Sequence, residues 1–309
     1  MLGPFDHIGS ALAYLATARR QHKSDMLTAR QHGAPLPLPR GLELTWIGTA
    51  GFRLAYQGVV IWIDPYVTRL SLADLLRRKV VPPSGEAVGR WIDKADAVLV
   101  GHTHFDHALD VPAIARRFGC KVYGSHSLAA LMKLYGLETQ AVVAEPHQAY
   151  EVGPFKFHFV PSVHSKLQLG LRVPAAGELT CDHVDHLTPV AYRCGQVFGI
   201  HIEVAGTRIY HQGSADFLED AIRDRDVDLF LCGIAGRRFT PKYVERIVTK
   251  LAPKVIVPTH FDDFFRPLDA KVQFSFNVNL TGFADEVRAA TKETPLHVLE
   301  LGVTCRSPG

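Results

Sequence analysis

At 309 residues, 47% hydrophobic and 21% charged, the chain is long enough to bury a large core as one domain or two. Its net charge of +3 comes from Lys and Arg scattered along the whole length, which argues against a nucleic-acid groove, and no run approaches the roughly 18 apolar residues of a membrane span. Five cysteines, Cys120, Cys181, Cys194, Cys232 and Cys305, form no C-x-x-C pair and are odd in number, so a disulfide framework is disfavoured. With no signal-peptide pattern at the N-terminus, a reducing cytoplasm is the expected location.

Residues 1–40 read as an appendage and 41–309 as the main domain. Ile8, Leu12 and Leu15 recur at helical spacing, and Pro35, Pro37 and Pro39 then impose an extended arm. The arm is expected to pack on the domain or on a second subunit, which makes a homo-oligomer one expectation. Leu42 to Ile47, Gly51 to Ala55 and Val59 to Ile63 read as strands that begin a sheet. Asp64-Pro65 closes the series as a turn initiator. Between Tyr66 and Trp91 a helix is expected over Leu70 to Arg78, followed by Pro82, Pro83, Ser84 and Gly85. This excursion borders the end of the sheet, so Tyr66 and Arg69 are expected either as solvated surface or facing a substrate.

The stretch Ala95 to Pro112, ADAVLVGHTHFDHALDVP, organises the rest. Ala97 to Val100 reads as a buried strand, Gly101 as a turn, and Leu109 to Phe118 as a helix. Between them lie His102, His104, Asp106 and His107, at the strand end where open α/β sheets place their sites. A polar loop capping a helix is the plain alternative. Three His and one Asp in six residues would be costly at a buried sheet end unless a metal compensated them. Extended backbone would turn His102 and His104 to one side while Asp106 and His107 reach a second point, so one segment could serve two cations. Two cations about 3.5–4 Å apart would acidify a water between them.

Farther on, Lys121 to Tyr123, Ala141 to Ala144 and Phe155 to Val160 read as strands and Ser127 to Tyr135 as a helix. Phe155, Phe157 and Phe159 share one face, so His158 points the other way and is expected to be structural. Leu169 to Gly195 is irregular. Its CDHVDH, Cys181 to His186, has no strand feeding it and is expected to be a flexible pocket wall, from which His183 or His186 could touch substrate. Gln196 to Val204 and Thr207 to Tyr210 form a strand pair that ends in HQGSADF, where Asp216 would cap a helix over Phe217 to Arg223. Val227 to Cys232 is a strand, and Pro241 to Lys250 a helix with Thr240 as N-cap. Lys254 to Val257 is the next strand and releases His260, repeating the pattern of the central motif. Phe283 to Lys292 reads as a helix and His297 to Leu301 as a final strand.

His102-Thr-His104-Phe-Asp106-His107 resembles the signature of the metallo-β-lactamase superfamily of binuclear metallohydrolases, and the likeness spans about Leu42 to Leu301. It implies a four-layer αββα sandwich of the α/β class. It also implies that His102, His104 and His164 hold one metal while Asp106, His107 and His260 hold a second, with Asp64 supporting the metal-binding loop and Asp106 acting in catalysis. The family places a bridging Asp directly after a glycine. Here Gly213 is followed by Ser214, so Asp216 takes that role only if the turn is longer by two residues.

WIGTAGFRL, IDPY, DAVLVGHTHFDH and PTHFDDFF look most like the branch that contains ascorbate-6-phosphate lactonase and the phospholipase D type of phosphodiesterase acting on N-acyl-phosphatidylethanolamine. The implied cofactors are two divalent ions, Zn first, with Mn or Fe as alternatives. The implied reaction is hydrolysis of a lactone, ester or phosphodiester in a small anionic substrate. The rival expectation is a di-iron redox protein, or a metal-binding protein without catalysis, on the same fold.

Overall fold

The computed structural model describes residues 4–30, 35–167 and 170–307. After helix α1 (Pro4–Ala29) come β1 (Glu43–Trp46), β2 (Phe52–Tyr56) and β3 (Val59–Ile63), then helices α2 (Leu72–Leu76) and α3 (Gly85–Trp91). Next are β4 (Ala97–Leu99), α4 (Phe105–Ala108), α5 (Val111–Phe118), β5 (Lys121–Gly124), α6 (His126–Leu134) and β6 (Ala141–Val143). The second half runs through β7 (Tyr150–Val152), β8 (Phe155–Ser162), β9 (Val197–Val204), β10 (Thr207–Gln212) and β11 (Leu229–Gly233). It ends with α7 (Tyr243–Leu251), β12 (Val255–Thr259), α8 (Leu280–Ala290) and β13 (Thr304–Arg306).

Two sheets result, one in the order β13-β1-β2-β3-β4-β5-β6 and one in the order β12-β11-β10-β9-β8-β7. In the first, β3, β4, β5 and β6 run parallel; in the second, β10, β11 and β12 do. The period-2 alternation of strands decides which side chains meet where. Ala97 and Leu99 of β4 join the core between the sheets with Phe157, Phe159, Phe198 and Ile200, whereas Val98 and Val100 face the outer layer with Ile114 and Leu131. On the far side, Tyr243, Ile247, Leu251 and Phe283 of α7 and α8 cover the second sheet. The layers are therefore helix, sheet, sheet, helix, as expected.

Helix α1 docks on α8 through polar groups. Asp25, 2% exposed, accepts the Thr281 N–H at 2.8 Å and its hydroxyl at 2.9 Å, placing a carboxylate at the N-terminus of α8. Leu12 and Leu15 are exposed, and the side chain of Ile8 lies outside the described residues. Leu36 and Leu38, between the prolines, are buried and join the hydrophobic core.

Several elements differ from the sequence reading. Phe217 to Arg223 is not an α-helix and contains only a short turn at Glu219–Ala221. Phe217 and Ile222 are both buried, and a helix would set them roughly 140° apart. The helix read from Pro241 begins at Tyr243, and Thr240 spends its hydroxyl on the Ala215 carbonyl at 2.7 Å, not on an N-cap. His297 to Leu301 forms no strand; a single bridge joins Leu296 to Ile256, and the edge strand is β13 beside β1.

Candidate metal centre

The parallel strands β3 and β4 end side by side, and the chain leaves β4 through Val100 and Gly101 into the motif. Gly101 is required for close approach, not for a left-handed turn. A Cβ there would lie 3.2 Å from the Phe198 carbonyl and 3.3 Å from Asp64 Oδ2, while its N–H donates to Asp64 Oδ1 at 2.7 Å. His102 and His104 stay on non-helical backbone, with His104 at the N-cap of α4 (φ −62°, ψ 153°), and Asp106 and His107 fall in the first turn of that helix. The switch from extended to helical backbone splits the motif in two.

One group is His102, His104 and His164; the other is Asp106, His107 and His260, and in each the ligand atoms lie within 4.8 Å of one another. The groups adjoin, since the rings of His102 and His107 are 3.8 Å apart. His164 arrives just beyond β8, with its ring 4.7 Å from that of His104. His260 arrives directly after β12, and its Nε2 is 3.2 Å from Asp106 Oδ2. Asp64 and His260 both adopt the left-handed region, at φ 43° and 60°, which non-glycine residues seldom do. Thr49 holds His260 there from two sides: its carbonyl accepts the His260 N–H at 2.7 Å, and its own N–H donates to Asp262 at 2.7 Å.

Outer hydrogen bonds decide which ring nitrogen each histidine presents. With a carbonyl as partner, His104 Nε2 must donate to Pro174 at 2.9 Å, which leaves Nδ1 bare toward His102 Nε2 at 3.1 Å. His164 Nδ1 donates to the Ser165 carbonyl at 2.8 Å, which leaves Nε2 bare. His107 Nδ1 donates to Asp64 Oδ2 at 2.8 Å and turns Nε2 to the centre.

Burial and the neighbouring His107 push His102 well below the ordinary imidazole value. Burial lowers His104 to about 4 and His164 to about 3. Burial opposes ionisation of Asp106, but His107 and His260 outweigh it and hold the carboxyl below its ordinary range. Burial likewise lowers His107, and Asp64 and Asp106 more than reverse this.

This donor set suits divalent cations. Ring nitrogens and a carboxylate oxygen turn on one another here, His102 Nε2 on His104 Nδ1 at 3.1 Å and His260 Nε2 on Asp106 Oδ2 at 3.2 Å, with Asp106 ionised and His102, His104 and His164 held neutral by burial. Convergent lone pairs out of water are costly unless a cation sits among them. The ligand types admit Zn, Mn and Fe.

Asp216 joins neither group. The side-chain amide of Gln212 donates to the Ser214 and Asp216 carbonyls at 3.0 and 2.9 Å, so the turn wraps that amide and the Asp216 carboxylate accepts the Phe217 N–H at 2.9 Å. The Ser214 hydroxyl accepts the Ser165 N–H at 3.1 Å. At Gly213 a Cβ would lie 2.9 Å from Asp64 Oδ2 and 3.4 Å from His107 Cε1, so the glycine lets the chain pass against the centre.

Tyr66 and Arg69 are neither solvated nor lining the centre. Tyr66 is buried and accepts the Leu70 N–H, and Arg69 pairs with Asp262 at 2.9 Å with both side chains under 10% exposed. His183 and His186 are exposed and pair within their own loop with Asp185 and Asp182. His211 escaped the sequence reading. It lies at the end of β10, fully buried, with Nε2 2.9 Å from the Ala50 carbonyl and 4.0 Å from Asp64. Its signal was the one that marks His260, a histidine where a parallel strand ends.

Beside the centre lies a cavity of about 650 Å³ whose walls include Tyr14, Leu167, Phe239, Phe264 and Phe276. Phe264 joins it to the centre, its ring 5.3 Å from that of His260. Among the described residues no helix is long and apolar enough to cross a membrane.

Residues 43–260 match the family model of the beta-lactamase superfamily domain. A UPF0173 metal-dependent hydrolase of Myxococcus xanthus is 30% identical over 83% of this chain and 84% of its own length. Among solved structures, the metallo hydrolase Igni18 of Ignicoccus hospitalis shares 21% identity at a TM-score of 0.55, covering 85% of this chain and 97% of that one. CmlA, a diiron beta-hydroxylase of Streptomyces venezuelae, shares 16% at a TM-score of 0.56, covering 87% of this chain and 55% of that one. With its motif, its two-sheet sandwich and these relatives, the chain belongs to the metallo-β-lactamase superfamily, among the metal-dependent hydrolases of the UPF0173 family.

Proposed function

We propose that the protein is a binuclear hydrolase of a lactone, ester or phosphodiester, with His102, His104 and His164 holding one divalent cation and Asp106, His107 and His260 the other. The observation that carries this reading is the adjacency of two three-ligand groups whose bare nitrogens converge. Cations bound there would supply Lewis-acid polarisation of the scissile group and acidify a water toward neutral pKa.

The chain's own residues supply the rest. Asp106, kept ionised by His107 and His260, is an anionic acceptor that orients the attacking water. Asp64 fixes the His107 ring, and Pro174 and Ser165 fix His104 and His164. The aromatic cavity takes an apolar part of the substrate and keeps water from it. Exposed Lys166, two residues past His164, is at hand for an anionic group. Zn is the first choice of ion, with Mn or Fe next.

The likeness to a diiron hydroxylase favours a second reading, di-iron redox chemistry, because N/O ligands of this kind also suit iron. One experiment separates the two. The protein is purified without added metal, its metals are measured, and hydrolysis of bis-p-nitrophenyl phosphate and p-nitrophenyl esters is followed before and after chelation. Zinc or manganese, with turnover lost on chelation and regained on adding metal, supports hydrolysis. Iron with visible absorption, or turnover that survives metal removal, contradicts it.

A further inference from the structure

A third cluster of metal-ligating side chains stands on the outward face of the second sheet, opposite the inter-sheet core. His158 of β8 and His201 of β9 are register partners across that antiparallel pair. Cross-strand partners carry their Cβ atoms roughly 5 Å apart on one face. Here the two imidazole rings lie 4.8 Å apart and 32° from parallel. Asp224, from the segment after β10, reaches over them and gives one oxygen to each ring: Oδ2 is 3.1 Å from His158 Nε2, and Oδ1 is 3.8 Å from His201 Nδ1.

We propose that His158, His201 and Asp224 form a further cation site, separate from the two groups of the metal centre, that takes a borderline divalent ion such as Zn²⁺ or Ni²⁺. The three donor atoms lie within 4.8 Å of one another. An ion holding nitrogens at about 2.1 Å sets its donors roughly 3.4 Å apart, so small side-chain rotations close the triad.

A carboxylate simply hydrogen-bonded between two histidines does not describe the geometry. The 3.1 Å contact to His158 is a hydrogen bond, but 3.8 Å to His201 is too long for one. The side chains are 23%, 11% and 13% exposed, sheltered enough to be held and open enough for an ion to enter. His147 stands at the rim with its ring 6.1 Å from that of His158, so the position left open falls to His147 or to water. Two imidazoles and one carboxylate from three separate segments disfavour Mg²⁺ and Ca²⁺, which prefer oxygen. An ion here would tie β8, β9 and the 217–228 segment together on a sheet face remote in sequence from the HTHFDH motif.

The test uses the full chain and Zn²⁺ itself. Crystals grown with Zn²⁺ are examined for anomalous scattering at the zinc edge, and Zn²⁺ is titrated in solution at micromolar concentration against a chromophoric chelator. The expected result is an anomalous peak among His158, His201 and Asp224 in the parent, absent in His201→Ala, with His201→Ala binding one ion fewer per chain. If His201→Ala does not fold, His158→Gln and Asp224→Asn give the same comparison. No peak in the parent, or equal stoichiometry in parent and folded variants, overturns the proposal. So does a peak that appears only at millimolar Zn²⁺ with no matching step in solution.

Discussion

Asp64 Oδ2 and His107 Nδ1 meet at 2.8 Å where neither side chain is more than 1% exposed, while the other oxygen of the same carboxylate accepts the N–H of Gly101. The pair links the end of β3 to the first turn after β4 and decides which nitrogen His107 offers.

Asp64→Asn should therefore weaken metal binding without removing a ligand. An amide can accept at only one end, so either Gly101 or His107 faces an N–H₂ group in place of an acceptor. Loss of such an outer partner costs about 10–100-fold in metal affinity. Competition with a chelator measures it, and unchanged affinity would mean that Asp64 is only a turn residue.

His164→Ala and His260→Ala should each lose metal and at least about 100-fold of any hydrolytic turnover, with circular dichroism unchanged, because both residues lie beyond strand ends. His158→Ala should keep that turnover, since its ring faces away from the centre. If His158→Ala were as inactive as His164→Ala, the two groups would not be independent of the outward cluster.

Asp216→Ala should leave the metal content as it is. The carboxylate is taken up by the Phe217 N–H, and the turn that directs it is held by Gln212. A drop of one ion per chain would place Asp216 back between the groups.

Arg69→Ala should cost about 3–5 kcal/mol of stability, read from denaturant unfolding, because it leaves Asp262 buried and unpaired. Asp262 also accepts the Thr49 N–H that steadies His260, so turnover should fall with stability. A loss under about 1 kcal/mol would show that water replaces the guanidinium.

Much of this was legible because strand alternation is a local property. Ala97 to Val100 splits cleanly between two cores, and an apolar run that empties into HTHFDH or PTH marks a strand end whatever the rest of the chain does. Phe155, Phe157 and Phe159 turned His158 outward by the same rule. What was not legible depended on contacts remote in sequence. Nothing near Arg69 announces Asp262, 193 residues away. Pro174, whose carbonyl sets the tautomer of His104, acts through its backbone and so leaves no mark in residue type. His297 to Leu301 has strand composition, but the edge beside β1 was taken by Thr304–Arg306.

At that edge Glu43 binds Arg306 and Arg53, and Arg306 first, then Arg53 against some burial, holds its carboxyl below the ordinary 4.5. A depressed carboxylate stabilises the fold above the unfolded value and loses that contribution as pH falls through the folded one. Glu43→Gln should be less stable than the parent at pH 7 by about 0.5–1 kcal/mol, and the gap should close below about pH 4. A gap that persists at pH 3 would point to packing and not to charge.

The most direct measurement is the metal stoichiometry of His201→Ala, in which the outward cluster is disabled, compared with the same protein also carrying His102→Ala and His260→Ala. Elemental analysis of folded samples should find two divalent ions per chain in the first and none in the second. One ion in the first would contradict a binuclear centre, and equal content in both would contradict the placement of the centre at the HTHFDH strand end.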